Sequence, residues 1–254
     1  MSRARYRHTR GVVRIGNIFT NFVYSFISIN TITLIRRKSK MIKISPSILS
    51  ADFSKLGYDV DRVEKGGAEY LHIDVMDGVF VPNISLGAPI QKSIRKQSKM
   101  VFDTHLMIID PIRYIEDFAK AGSDIVTIHL ESCDNVTETL DKIRALGMKA
   151  GLSIKPKTPV EAIKPYIGKF DMLLIMSVEP GFGGQSFIPE SLAKIKEARE
   201  LLGDLDIEVD GGINADNINA VVKAGANILV AGSAVFGKED VAEAIATLRK
   251  NGEA

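Results

Sequence analysis

The chain has 254 residues, 45% hydrophobic and 25% charged, with one cysteine, Cys133. Those values exclude an intramolecular disulfide framework and suit a globular fold in a reducing compartment, long enough for one large α/β barrel or two smaller domains. The net charge of +2 hides an asymmetry: residues 1–40 hold seven Arg, two Lys and no acid, leaving 24 basic against 31 acidic residues in 41–254.

An acidic body offers no basic face for nucleic acid, and none is expected as a partner. Residues 15–35 carry no charge and have the length of a bilayer span, yet eight of them are Asn, Thr or Ser. The Arg-rich, acid-free start also has the character of an organelle transit peptide. Three readings of residues 1–40 stay open: a dispensable leader ahead of a true start at Met41, a targeting segment, or a membrane anchor. The expected organisation is therefore a basic and apolar extension, 1–40, followed by a single catalytic domain, 41–254. No membrane contact is expected of that domain. A cytoplasmic protein is expected, or an organelle protein if the extension is a transit peptide.

From Met41 one unit repeats: an apolar strand, a loop, then an amphipathic helix. The predicted strands are IKISPSIL (42–49), YLHIDVM (70–76), MVFDTHLMI (100–108), DIVTIHLE (124–131), KAGLSIK (149–155), MLLIMSV (172–178), DIEVDGGI (206–213) and NILVAGSAVF (227–236). Helical patterns lie between them, as in PIRYIEDFAKAGS, where Ile112, Ile115, Phe118 and Ala119 recur at helical spacing before Gly122. Strands alternating with helices imply a parallel sheet. Eight such units suit a closed (β/α)8 TIM barrel, whose chemistry sits at the C-terminal ends of the strands. An open doubly wound sheet is the alternative, but the first unit has no GxGxxG turn.

Polar side chains interrupt these strands near their ends: His72 and Asp74 on the second, His105 on the third, Asp210 on the seventh. Burying an unpaired carboxylate is costly, so Asp74 and Asp210 call for a partner. Two imidazoles and two carboxylates make a competent site for a divalent ion such as Zn²⁺, Mn²⁺ or Fe²⁺. Met76 and Met107 follow Asp74 and His105 by two residues and so share their faces, and Met176 sits on the sixth strand. These methionines are core filler or a polarizable pocket lining. Three glycine-bearing loops follow strands six to eight: EPGFGGQSF (179–187), Asp210-Gly211-Gly212 and Gly232-Ser233. Backbone N–H groups in such turns cradle phosphate, and loops seven and eight are its habitual site in this barrel. His129 and Glu131 share a face of the fourth strand and read as hydrogen-bonded support. Asp103 reads as support behind His105, and Asp77-Gly78 as a turn.

The stretches SILSADF (47–53), HIDVMDGVFVPN (72–83), DTHLM (103–107), VEPGFGGQ (178–185) and EVDGGI (208–213) stand in an order that resembles the ribulose-phosphate 3-epimerase family. The resemblance spans essentially all of residues 41–254. It implies interconversion of D-ribulose 5-phosphate and D-xylulose 5-phosphate, a step of the pentose phosphate pathway, with one divalent ion (Zn²⁺, Fe²⁺, Mn²⁺ or Co²⁺). It implies metal ligands at His72, Asp74, His105 and Asp210, with Asp74 and Asp210 also the catalytic acid/base pair. Substrate contacts are implied at Ser47, His105, Gly181, Phe182, Gly183, Gly184, Gly211, Gly212, Gly232 and Ser233. A homo-oligomer with a phosphosugar substrate is the expected form. An epimerase of a hexulose phosphate such as D-allulose 6-phosphate would use the same site. A barrel lyase or decarboxylase is a remoter alternative and would call for a catalytic lysine that neither the Asp74 stretch nor EVDGG contains.

Overall fold

Alternating apolar side chains from Met41 onward build eight parallel strands in the computed structural model, which describes residues 41–254; the readings of residues 1–40 lie outside the described residues. The strands are β1 (Lys43–Pro46), β2 (Tyr70–Met76), β3 (Val101–Met107), β4 (Ile125–His129), β5 (Lys149–Ile154), β6 (Met172–Met176), β7 (Asp206–Asp210) and β8 (Ile228–Ala231). They are hydrogen-bonded in the order β1-β8-β7-β6-β5-β4-β3-β2. A parallel bridge between Ser47 and His72 joins β2 to the end of β1, so the sheet curls into a TIM barrel.

The helices that cover it are α1 (Leu56–Lys65), α2 (Ala88–Arg95), α3 (Ile115–Lys120), α4 (Val136–Ala145), α5 (Ser191–Leu202), α6 (Ile218–Ala224), α7 (Ser233–Phe236) and α8 (Val241–Gly252). Outward-facing strand residues such as Leu71, Ile73, Phe102, Ile128, Leu173 and Val209 pack against them in the main core. Each is fully buried, which stabilises the fold by about 1.5–3 kcal/mol per side chain. Inside the barrel, Tyr70, Ile125, Met172 and Ile228 form one apolar cluster. They come from β2, β4, β6 and β8, the alternate-strand layering of this fold. That layer plugs the N-terminal end. Above it the interior turns polar.

Three local features depart from the predicted pattern. The stretch 227–236 is not one strand: β8 ends at Ala231, Gly232 turns at φ −89° and ψ −90°, and Ser233–Phe236 is a helical turn. The unit between β5 and β6 has a 3-10 helix, Val160–Tyr166, where Pro165 inside the segment removes the donor an α-helix needs. The predicted strand 124–131 ends at His129, with Leu130–Ser132 a 3-10 turn after it. Among the described residues no helix is long and apolar enough to cross a membrane.

Candidate active site

Period-two alternation puts His72, Asp74 and Met76 of β2 on the inner face, beside Asp103, His105 and Met107 of β3, their register partners. Glu208 and Asp210 of β7 point inward by the same parity. Four ligand atoms converge. His72 Nε2 lies 3.2 Å from His105 Nδ1, and Asp74 Oδ1 is 3.3 Å and 3.2 Å from those two nitrogens. Asp210 Oδ2 is 3.8 Å from each. Ligands 2.0–2.2 Å from one ion in a tetrahedron are separated by about 3.3–3.6 Å. The residues present therefore fit a divalent cation: two imidazoles and two carboxylates, with His72 and His105 fully buried and Asp74 nearly so.

The electrostatics favour a positive charge at this point. Burial alone would depress the His72 imidazole, but the carboxylates of Asp74, Glu208 and Asp103 push it well above its ordinary value. Burial would raise Asp74, yet the His72 and His105 rings hold it well below the usual carboxylate range. Asp210 moves the other way: burial and then the Asp74 charge raise it to about 6. Deeper in the barrel, His72 Nδ1 donates to Asp103 Oδ2 at 3.0 Å, leaving Nε2 to face the cluster. Glu208 lies 3.5 Å from the same nitrogen, and burial, then Asp103, push its carboxyl well above the usual range.

The mouth is lined by Ser47, Asp74, Met76, Met107, Met176, Asp210, Gly181, Phe182, Gly183, Gly184, Gly211, Gly212, Gly232 and Ser233. All three methionines reach this cavity, while His72 and His105 sit behind its wall. Phe182 projects from the loop after β6 with 55% of its surface exposed. That loop is shaped by Gln185, whose amide donates to the carbonyls of Glu179 and Phe182, and by Asn83, which donates to Gly181 O at 2.8 Å. The pair after β7 has to be glycine: at Gly212, with φ +69°, a Cβ would stand 2.3 Å from the Phe187 backbone nitrogen. At Gly211, with φ +125°, a Cβ would stand 2.6 Å from Val178 Cγ2 and 2.8 Å from its backbone nitrogen. These contacts pack the loop after β7 beneath the one after β6.

Several residues at this site were not singled out in sequence. Ser50, three past Ser47, sits beside both Gly183 and Gly232 and so touches the loops after β6 and β8. Glu208 was legible by parity, two before Asp210. His129 and Glu131 read as support, and His129 Nε2 is 2.8 Å from His105 Nε2. Burial brings the His129 imidazole down to about 4, so it is neutral. Asp77 is a turn clamp, accepting from the N–H groups of Val79, Phe80 and Ile109.

Sequence comparison places these residues in context. A model of the "Ribulose-phosphate 3 epimerase family" matches residues 43–236. The chain is 50% identical over 214 residues to the ribulose-phosphate 3-epimerase of Bacillus subtilis (strain 168), covering 82% of this chain and 99% of that one. It is 49% identical to the chloroplastic ribulose-5-phosphate-3-epimerase of Arabidopsis thaliana, covering 82% and 76%. It is 46% identical to the cytoplasmic isoform of Oryza sativa subsp. japonica, covering 83% and 94%. Among solved structures, KGPDC from Streptococcus mutans in complex with D-R5P superposes with a TM-score of 0.68 at 11% identity, covering 84% of this chain and 98% of that one. That likeness is one of fold.

Proposed function

The chain belongs to the ribulose-phosphate 3-epimerase family, and on that premise we propose that it inverts C3 of D-ribulose 5-phosphate to give D-xylulose 5-phosphate, with Asp74 and Asp210 as the acid/base pair. The observation that carries this reading is the convergence of Asp74 Oδ1, Asp210 Oδ2, His72 Nε2 and His105 Nδ1 at the mouth of the barrel. Inverting a carbon next to a ketone requires removing a proton from one face and returning one to the other, through a planar enediolate. Asp74 and Asp210 arise from different walls, and their acidities are driven apart, one down and one up to about 6. That is the polarity a base and an acid need.

In this reading Asp74 accepts the C3 proton while the protonated Asp210 supplies one to the opposite face, and the roles exchange in reverse. Ser47 holds the Asp74 carboxylate by donating to Oδ2 at 2.5 Å. His72, Asp74, His105 and Asp210 would hold a divalent ion, Zn²⁺, Fe²⁺, Mn²⁺ or Co²⁺, which when bound stabilises negative charge developing on the substrate oxygens. Met76, Met107 and Met176 keep the reacting carbon dry, and the glycine loops 181–184, 211–212 and 232–233 take the phosphate through backbone N–H groups. The test is a coupled assay of residues 41–254 on ribulose 5-phosphate and on allulose 6-phosphate, run in deuterated water. Turnover of the pentulose with deuterium entering C3 is expected. Faster turnover of the hexulose, or retention of all substrate hydrogen, would overturn the reading. A homo-oligomer is part of the same proposal, and sedimentation of that protein checks it.

A further inference from the structure

Behind His105, away from the cavity, runs a chain of polar groups that the epimerase chemistry does not itself use. His105 Nε2 faces His129 Nε2 at 2.8 Å, and His129 Nδ1 faces Glu131 Oε2 at 3.3 Å. Both imidazoles are fully buried. Burying two adjoining imidazoles costs stability unless every nitrogen is satisfied. The far end of the chain is fixed as an acceptor: Glu131 Oε1 takes the Lys155 backbone N–H at 2.7 Å and the Thr158 hydroxyl. Phe80 packs on the His129 ring with centroids 4.9 Å apart, which holds the ring from another loop.

Two imidazole nitrogens at hydrogen-bond distance share one hydrogen, so an acceptor at one end orders the whole chain. Glu131 accepts from His129 Nδ1–H. His129 Nε2 is then a lone pair and accepts from His105 Nε2–H. His105 Nδ1 is left as a lone pair pointing at Asp74 and His72 Nε2, 3.2 Å from each.

We propose that Glu131 and His129 are positioning residues that fix His105 in its Nε2–H tautomer, so that Nδ1 is permanently presented to the cation cluster. The inference rests on the metal reading above. Its function is to make ligation by His105 free of any tautomer change, while Asp103 does the same for His72 by a single hydrogen bond. The longer chain ties the metal site to the loops after β4 and β5, where Glu131, Lys155 and Thr158 meet.

The experiment is Zn²⁺ titration against a competing chelator, combined with ¹⁵N NMR of the histidine rings in the unmodified, zinc-loaded protein. His129→Leu, which keeps bulk but removes the acceptor, should lose about 10–100-fold in Zn²⁺ affinity, the usual effect of removing a ligand's outer partner. His129→Gln, whose carbonyl oxygen still accepts, should bind within a few-fold of the parent. The ring spectra should show His129 protonated on Nδ1 and His105 on Nε2, and that measurement needs no variant to fold. Protonation of His129 on Nε2, or parental affinity in a folded His129→Leu protein, would overturn the proposal alone. Failure of the unmodified protein to bind Zn²⁺ would overturn the metal reading with it.

Discussion

Ser47 Oγ lies 2.5 Å from Asp74 Oδ2, while Asp74 Oδ1 faces His72 Nε2 and His105 Nδ1. One carboxylate is thereby divided between a hydroxyl and two imidazole nitrogens, and its plane is fixed by both. Hydrogen bonds to a charged group contribute about 1.5–3 kcal/mol. Ser47→Ala should therefore lower kcat/KM by roughly ten- to a hundredfold with the fold retained. Steady-state kinetics alongside a thermal melt will check it, and activity within twofold of the parent would remove Ser47 from the mechanism.

Asp74→Asn and Asp210→Asn probe the proposed acid/base pair. Each amide is nearly the size of the acid and keeps an oxygen, so the barrel should fold. Loss of a positioned acid or base lowers turnover by about 10²–10⁴-fold. Epimerisation should fall by that much in both variants. Exchange of the C3 hydrogen with solvent should outlast epimerisation in whichever variant retains the base for that face. Near-parental turnover in either variant would refute the two-carboxylate mechanism.

What was legible in the sequence divides by length scale. The strand YLHIDVM was bounded as observed, because seven consecutive residues suit a strand buried on both faces, as all of them are. The convergence of Asp74 and Asp210 was legible because a barrel brings strand ends together wherever they lie in the chain. Ser50 was not, since its part depends on two loops meeting over it, a distance no local spacing encodes. The pairing of His129 with Glu131 was legible as a shared face, but its link to His105 was hidden, because it joins the ends of β3 and β4 and only the packed rings reveal which nitrogen faces which.

Gly212 and Gly184 separate conformational strain from steric clash. Both adopt positive φ, +69° and +73°, but a Cβ at Gly184 meets nothing within 4 Å. At Gly212 it meets backbone at 2.3 Å. Gly184→Ala should cost about 1–2 kcal/mol, the left-handed penalty alone. Gly212→Ala should cost clearly more and also raise KM, because the loops after β6 and β7 would have to part. Denaturant midpoints and KM for the two variants test this, and equal costs would show that the Phe187 contact is not limiting.

Removal of a divalent ion should be visible in stability as well as activity. A ligand bound only by the folded state at a hundred times its dissociation constant adds about 2.7 kcal/mol. Protein stripped with a chelator should lose epimerase activity and melt at lower temperature, and Zn²⁺, Mn²⁺, Fe²⁺ or Co²⁺ should restore both. His105→Ala should abolish the restoration of the melt. Activity that survives exhaustive chelation would disconnect the His72–Asp74–His105–Asp210 cluster from the reaction.

Asp171 provides a pH test remote from the site. Its Oδ1 accepts from Arg144 Nη2 at 2.7 Å, and its Oδ2 accepts from Arg144 Nε and the Ala150 N–H. Burial works to raise the carboxyl, but the Arg144 and Ala150 hydrogen bonds outweigh it and leave it below its ordinary 3.8. A folded pKa below the unfolded one means the folded state binds the proton less readily. The stabilisation is then fully present above the unfolded value and fades as pH falls through the folded one. About a third of each side chain is exposed, so solvent and salt screen part of it. Asp171→Asn should melt below the parent at neutral pH, and the gap should narrow as pH drops below 3.8. Melts of both proteins across that range decide the matter, since a gap independent of pH would mean that Asp171 acts through shape and not charge.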